Sequence, residues 1–338
     1  MSSLNVLYCC DDNYAPYANV SIYSLLKNNK NFDIVNIYVI LDNVSENNKL
    51  MMMKQIELYQ ANFIPIDAEE IVKEIVELGL PRYRNSYATY FRLFLEHIID
   101  SKVEKLLYLD CDTIVCGSLL SIMESEMGEF CMYVVQESLA DRYKDIIGMS
   151  YDEPYFNAGV LLINLKNWWK YDCKTKIIQH IKKAGNKYCC HDQDLLNIVL
   201  KDYVCFISPR YNLQPIHRLL NASDYKTIYN IKSYYSEKEI EFARSNPVIL
   251  HTYRFLGEFP WHKNSRHPDT GIFDDYLKES TQSNYIKKRQ QVGIMIKVER
   301  IFYLLLPRKW FFKLFKMVHE WSFRRQSQLI AKEMGKDH

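Results

Sequence analysis

The chain has 338 residues, of which 48% are apolar and 25% charged, and a formal net charge of +2. That balance suits a soluble globular protein with room for one large α/β core. It argues against a disordered chain or a nucleic-acid binder with an overall basic field, and no apolar run reaches the roughly 18 residues of a membrane span. The charge is unevenly placed. Residues 287–338 hold 13 Lys/Arg against 4 Asp/Glu, net +9, while residues 1–286 hold 30 against 37, net −7, so a basic tail on an acidic body is expected from about Lys287. The nine cysteines are odd in number and include the adjacent pairs Cys9-Cys10 and Cys189-Cys190. They fit no zinc spacing and read as free thiols of a reducing cytosol. Met1-Ser2-Ser3 leads straight into an apolar strand, so no secretory leader is expected.

Leu4–Cys10 reads as a buried strand ending in Asp11-Asp12-Asn13, followed by a helix over Pro16–Leu26. Val35–Leu41 is a second strand ending in Asp42, Ser45 opens a helix that runs to about Tyr59, and Asn62–Ile66 is a third strand. Strands alternating with helices are the pattern of a parallel, doubly wound sheet. No G-x-G-x-x-G follows the first strand, and the chain holds only ten glycines, which argues against a dinucleotide-binding fold. Tyr87–Leu95 is expected to be a helix with Arg92 inside it. The apolar strand Leu106–Leu109 then breaks off in Asp110-Cys111-Asp112, and Gly117-Ser118 precedes a short helix through Met123. Phe130–Val135 is a strand ending at Gln136-Glu137, Tyr155–Gly159 enters the strand Val160–Asn164, and Trp168–Lys183 reads as one long helix. His191-Asp192-Gln193-Asp194 opens the next helix, with Asp192 a candidate cap. Val204–Ile207 and Val248–His251 are late strands.

Asp110 and Asp112 share parity, so they point the same way while the strand geometry lasts. Two adjacent carboxylates repel unless one is protonated or a cation lies between them. Oxygen ligands suit Mg²⁺ or Mn²⁺. By itself the dipeptide spacing fits a solvated strand-end turn equally well. In a parallel sheet the polar strand ends Asp11–Asn13, Asp110, Asp112, Gln136, Glu137 and His251 would share one edge. His251 would complete a two-Asp, one-His set for Mn²⁺, although a lone strand-end histidine is more often structural.

Four blocks, Asp11-Asp12-Asn13-Tyr14, Leu106–Asp112, Tyr155–Lys166 (YFNAGVLLINLK) and His191–Asn197, together with His251–Trp261 and its terminal Pro-Trp, resemble glycosyltransferase family 8. These are retaining sugar-nucleotide transferases, and the likeness is to the bacterial lipopolysaccharide galactosyl- and glucosyltransferases among them. The resemblance spans roughly residues 1–265, and YFNAGVLLINLK is its most specific part. It implies a GT-A type α/β fold: one catalytic domain over 1–286 with a mostly parallel central sheet flanked by helices, then a basic amphipathic helical tail over 287–338. The implied reaction moves galactose or glucose from UDP-galactose or UDP-glucose to an oligosaccharide or lipid-linked glycan, in lipopolysaccharide or other surface-glycan synthesis. Residue by residue, the resemblance places Cys9, Asp11 and Asn13 at the uridine. Asp110, Asp112 and His251 would hold Mn²⁺, or Mg²⁺, against the diphosphate, with Cys111 between the two acids on the donor side. Arg92 would contact the donor sugar or diphosphate, and Asn157, Ala158 and Gly159 would lie by the sugar. Asp192 would bind sugar hydroxyls and Gln193 would lie near the anomeric carbon; Arg92, Asp192 and Gln193 form the implied catalytic set.

Two departures from the family pattern stand out. Relatives place a lysine shortly before the Pro-Trp, where this chain has Phe259, so Arg254, or failing that Lys263, is expected to meet the diphosphate. The acid that contacts the acceptor in relatives is replaced by Gln136, with Glu137 beside it. The competing readings are a non-catalytic UDP-sugar-binding protein, which the missing lysine favours and the intact Asp-x-Asp opposes, and a self-glycosylating enzyme. In the tail, Trp310, Phe311, Leu314, Phe315 and Val318 recur at helical spacing, with Arg308, Lys309, Lys313 and Lys316 between them. Such a helix suits the headgroup region of an anionic membrane, which implies a cytoplasmic protein held peripherally at the inner face of the cytoplasmic membrane. The other reading is a helix packed on the catalytic body.

Overall fold

The structure, a computed structural model, describes residues 2–83, 85–137, 141–184 and 188–334. In chain order the first half forms β1 (Ser3–Asp11), α1 (Ala15–Asn28), β2 (Ile34–Asp42), α2 (Glu46–Glu57), β3 (Asn62–Asp67), α3 (Glu69–Glu77), β4 (Lys105–Leu109), β5 (Thr113–Val115), α4 (Leu120–Glu124), β6 (Met132–Glu137), α5 (Asp141–Ile146) and β7 (Tyr155–Asn164). The second half forms α6 (Leu165–Lys170), α7 (Cys173–Ala184), α8 (His191–Leu200), β8 (Val204–Phe206), α9 (Pro215–Leu219), α10 (Ala222–Tyr229), α11 (Glu237–Ser245), β9 (Ile249–His251), α12 (Thr270–Glu279), α13 (Ile294–Leu305) and α14 (Arg308–Met334).

The central sheet has seven strands in the order β3-β2-β1-β4-β7-β6-β8. The pairs β3–β2, β2–β1, β1–β4 and β6–β8 are parallel, whereas β7 runs antiparallel to both β4 and β6. The sheet is therefore mostly parallel, with helices on both faces. Cover on both faces explains why its strands read as unbroken apolar runs. Side chains sort by parity: Leu4, Val6, Tyr8, Cys10, Leu107 and Leu109 pack on the α1–α2 side. Leu7, Cys9, Leu106 and Tyr108 pack with Trp168, Tyr155 and Leu195 on the other.

Three local expectations change. Tyr87–Leu95 is mostly a 3-10 helix over Ala88–Leu93 rather than an α-helix. The single helix expected over Trp168–Lys183 is two, α6 and α7, parted where Asp172 takes φ +51°, a conformation that a continuous helix cannot include. Asp192 does not cap α8: the capping position is Cys190, whose backbone N–H donates to Asp194 Oδ2 at 2.9 Å.

The C-terminal helices pack on the body. Phe311 and Phe312 are each 1% exposed, in one cluster with Ile216, Leu220, Tyr225, Ile228, Tyr229 and Phe255. Lys309 pairs with Asp224 at 2.6 Å. No helix among the described residues is long and apolar enough to cross a membrane.

Candidate active site

Opposed strand directions bring the chemistry together. β4 and β6 end at the edge where antiparallel β7 begins. Asp110, just past β4, therefore meets Gly159 early in β7, and its N–H donates to the Gly159 carbonyl at 2.8 Å. Glu137 at the end of β6 stands opposite Tyr155 at the start of β7. His251 does not belong to this sheet; β9 pairs with β5 in a separate two-stranded sheet, with His251 opposite Thr113. The parallel edge expected to carry every polar strand end is thus assembled from two sheets.

A cleft of about 370 Å³ opens here, lined by Cys9, Asp11, Arg92, Asp110, Cys111, Asp112, Glu137, Asn157, Gln193, His251 and Arg254 among others. Ala158, Gly159 and Asp192 are not part of this lining, but the Ala158 carbonyl and the Asp192 carboxylate meet Arg92, and the Gly159 carbonyl accepts from Asp110 N. Asn13 lines a neighbouring hollow that shares Asp11. Gln136 turns away, its amide donating to the Ser233 carbonyl at 2.9 Å. Lys263 is exposed and outside the cleft.

Asp110, Asp112 and His251 each offer a ligand atom, all within 4.8 Å of one another. His251 Nε2 lies 3.2 Å from Asp112 Oδ1 and 3.8 Å from Asp110 Oδ2. The imidazole is oriented from behind. Asn212 donates its amide N–H to Asn157 Oδ1 at 2.9 Å, leaving its own Oδ1 to accept from His251 Nδ1 at 3.1 Å. Nε2 is therefore left with its lone pair toward the acids. Burial pushes the imidazole pKa down, but the charges of Asp112 and Asp110 outweigh it and the net direction is up. Only glycine fits at 159, since a Cβ there would sit 2.7 Å from Asp110 Oδ2 and nearer still to His251 Cε1. Two carboxylates and one imidazole whose Nε2 faces them fit a hard or borderline divalent cation.

Arg92 is 6% exposed. Its guanidinium meets Asp110 Oδ1 at 2.9 Å and Asp192 Oδ2 at 3.0 Å, donates to the Ala158 carbonyl, and lies over the Tyr108 ring at 4.1 Å. It thus ties three segments of the cleft wall together. Asp192 also accepts from the Thr89 hydroxyl. Burial raises its pKa to about 6 against the opposing pull of Arg92. Gln193 is fixed at both ends. Its Oε1 accepts from Ala158 N at 2.9 Å, and its Nε2 donates to Glu137 Oε2 at 3.0 Å and to the Tyr155 hydroxyl at 3.1 Å. Glu137 Oε2 also accepts from Asn157 at 3.1 Å, and burial raises its pKa. Phe259 lines the cleft and stacks on Trp261 at 4.4 Å, which stacks on Tyr17 at 3.9 Å.

Residues 5–265 match the sequence profile described as glycosyl transferase family 8. The chain belongs to glycosyl transferase family 8. This family 8 chain is 27% identical to the lipopolysaccharide 1,2-glucosyltransferase of Escherichia coli K12, over 82% of itself and 78% of that protein. It is also 27% identical to general stress protein A of Bacillus subtilis 168, over 81% of itself and 93% of the relative. A crystal structure of the galactosyltransferase LgtC, in complex with donor and acceptor sugar analogues, superposes with a TM-score of 0.65 at 24% identity, covering 87% of this chain and 99% of that one. The fold is accordingly GT-A.

Sequence reasoning missed Asn212 and four residues that line the cleft, Tyr83, Thr89, Tyr253 and Phe259. Asn212 sits in Arg210-Tyr211-Asn212-Leu213, where no periodicity marks it. Its one signal is being an asparagine with 0% exposure, and that requires coordinates.

Proposed function

We propose that this family 8 glycosyltransferase moves galactose or glucose from a UDP-sugar to a saccharide acceptor with retention of configuration, in the synthesis of lipopolysaccharide or another surface glycan. The observation that carries this reading is the Asp110, Asp112 and His251 set in a cleft that Asn157, Gln193 and Glu137 also line. Relatives named lipopolysaccharide 1,2-glucosyltransferase and, in Salmonella typhimurium LT2, lipopolysaccharide 1,3-galactosyltransferase support either sugar.

Asp110, Asp112 and His251 are assigned to Mn²⁺, with Mg²⁺ the other choice. When bound, such an ion neutralises the diphosphate as a Lewis acid. Cys9 and Asp11, with Asn13 from the adjoining hollow, receive the uridine, and Cys111 lines the floor between the acids. Arg254 supplies the second positive charge on the diphosphate. Asn157 and the backbone of Ala158 and Gly159 flank the sugar, and Asp192 accepts from its hydroxyls. Arg92, paired with both Asp110 and Asp192, holds the two carboxylates in place. Glu137, with Gln136 behind it, faces the oligosaccharide or lipid-linked acceptor. A double displacement needs a nucleophile, and the Gln193 oxygen is engaged by Ala158 N. The acceptor hydroxyl therefore attacks from the face that the UDP leaves, passing its proton to the departing diphosphate oxygen. Trapping a covalent sugar–enzyme adduct would overturn this route.

The test is a panel of UDP-sugars with Mn²⁺, with the product examined by NMR: release of UDP from UDP-glucose or UDP-galactose and an axial anomeric linkage are expected. No turnover of either donor refutes the reading. The C-terminal helices are assigned to the cytoplasmic face of an anionic membrane, because Ile294, Val298, Ile301, Leu305, Trp310 and Trp321 are all at least 44% exposed among basic residues. Co-sedimentation with phosphatidylglycerol vesicles that weakens with salt is expected; equal binding to neutral vesicles counts against it.

A further inference from the structure

The segment His251–Trp261 has two sides. Arg254 and Phe259 line the cleft, while Phe255, Leu256, Gly257 and Glu258 between them face the C-terminal helices. The Phe255 ring meets Tyr303 edge-on at 5.4 Å and shares a cluster with Phe311 and Phe312. Phe255 and Glu258 pair across a tight turn whose central residues, Leu256 and Gly257, both take positive φ, +48° and +77°. A leucine is strained in that left-handed conformation, so the turn needs outside contacts to hold it.

Arg300 of α13 supplies them. Its Nε donates to the Leu256 carbonyl at 3.0 Å, and its Nη2 pairs with Glu258 Oε1 at 3.0 Å. The other Glu258 oxygen accepts from Arg266 N at 2.8 Å. The two side chains are 21% and 12% exposed, shielded enough for the pair to hold one geometry. Beside it, a Cβ on Gly257 would lie 2.6 Å from Ile296 Cγ2 and 3.2 Å from Val292 Cγ1, so the turn is pressed against the face of α13 opposite its exposed one.

We propose that Arg300 is a positioning residue for donor binding. Through Leu256 and Glu258 it sets the turn that presents Arg254 and Phe259 to the cleft, which makes α13 part of the donor site's support as well as the start of a tail. The inference rests on the cleft being the UDP-sugar site.

The experiment uses the full chain with Mn²⁺ and reads three quantities: UDP affinity by calorimetry, KM and kcat for hydrolysis of UDP-glucose and UDP-galactose, and Tm. Arg300→Gln should weaken UDP binding and raise KM by about three- to tenfold, with kcat and Tm nearly unchanged. Arg300→Lys keeps the charge opposite Glu258 and should lie between that variant and the wild type. With Arg254→Ala as background, Arg300→Gln should add less than it does alone, since both act through one loop. Wild-type UDP affinity and KM in Arg300→Gln overturn the inference and leave the donor reading standing. A fall in Tm that tracks the affinity loss, with no recovery in Arg300→Lys, also overturns it. A wild-type chain that binds no UDP overturns the donor reading and the inference together.

Discussion

Among single residues, the two acids of Asp-x-Asp have unequal structural duties, which separates their expected phenotypes. Asp110 is held by Arg92 and by the Tyr108 hydroxyl at 2.6 Å, whereas the Asp112 carboxylate faces His251. Asp112→Asn should abolish most Mn²⁺-dependent turnover with almost no change in Tm. Asp110→Asn should abolish it too but lower Tm, because the nearly buried Arg92 loses one of its two carboxylates. Hydrolysis assays with Mn²⁺ and with EDTA, alongside thermal melts, check both; near-normal turnover of either variant in EDTA would sink the metal assignment. Asn212→Leu removes the acceptor that orients His251 Nδ1. A roughly 10- to 100-fold loss of Mn²⁺ affinity is expected, measured by metal titration of the variant. An unchanged affinity would show that packing alone holds the ring.

Within the elements, the reversal of β7 does most to make the site. Because it runs against β4 and β6, its entry residues Asn157–Gly159 reach the edge where the other two strands exit. The segment His251–Trp261 brings a guanidinium to the cleft. Arg254 lines the cleft and Lys263 does not, so Arg254→Ala should raise the KM for UDP-sugar more than Lys263→Ala does; the reverse ranking would move the diphosphate contact to Lys263. The C-terminal segment is likewise more than an appendage. Phe311 and Phe312 are buried against α9 and α10, and Phe323 packs on Tyr143 at 4.9 Å, whose hydroxyl bonds Asp194 at 2.5 Å. Phe312→Ala should cost about 3–5 kcal/mol, and removing residues 287–338 should lower Tm by uncovering Ile216, Tyr225 and Ile228. A truncated chain that melts with the full one would make the segment a separable tail.

For the whole molecule, buried titratable groups set the response to pH. Burial lowers His191 to about 4, His217 to about 3 and His267 to about 4. As pH falls below about 6.5 the unfolded chain takes up protons that the folded chain refuses, so these histidines cost stability down to about pH 4. Asp192 and Asp194 act oppositely: raised to about 6 by burial, they hold protons in the fold that the unfolded chain releases, and their contribution grows as pH drops from about 6 toward 4. His319, also lowered to about 4, acts with these histidines, while Glu137, Glu299 and His251, all raised, act with the acids. The four lowered histidines begin to cost stability at about pH 6.5, above the range where Asp192 and Asp194 contribute, so Tm should fall between pH 7 and about pH 6 in thermal melts. A Tm that rises over that interval would contradict this balance.

By itself the sequence determined what depends on near neighbours. Apolar runs and parity located β1, β2, β4 and β7 and predicted that Asp110 stands at a strand end. The YFNAGVLLINLK block and the Asp pair together pointed to the family. The tertiary structure decided what depends on partners far along the chain. β7 pairs antiparallel, His251 arrives on a separate sheet through β5, Arg92 turns into the wall between Asp110 and Asp192, and Asn212 orients a histidine 39 residues later. Burial periodicity records which side of an element meets the core, but it is the same for a strand paired either way. It also carries nothing about which polar atom will satisfy another across the fold. Those choices are made only when the elements close on one another and every buried donor must find its acceptor.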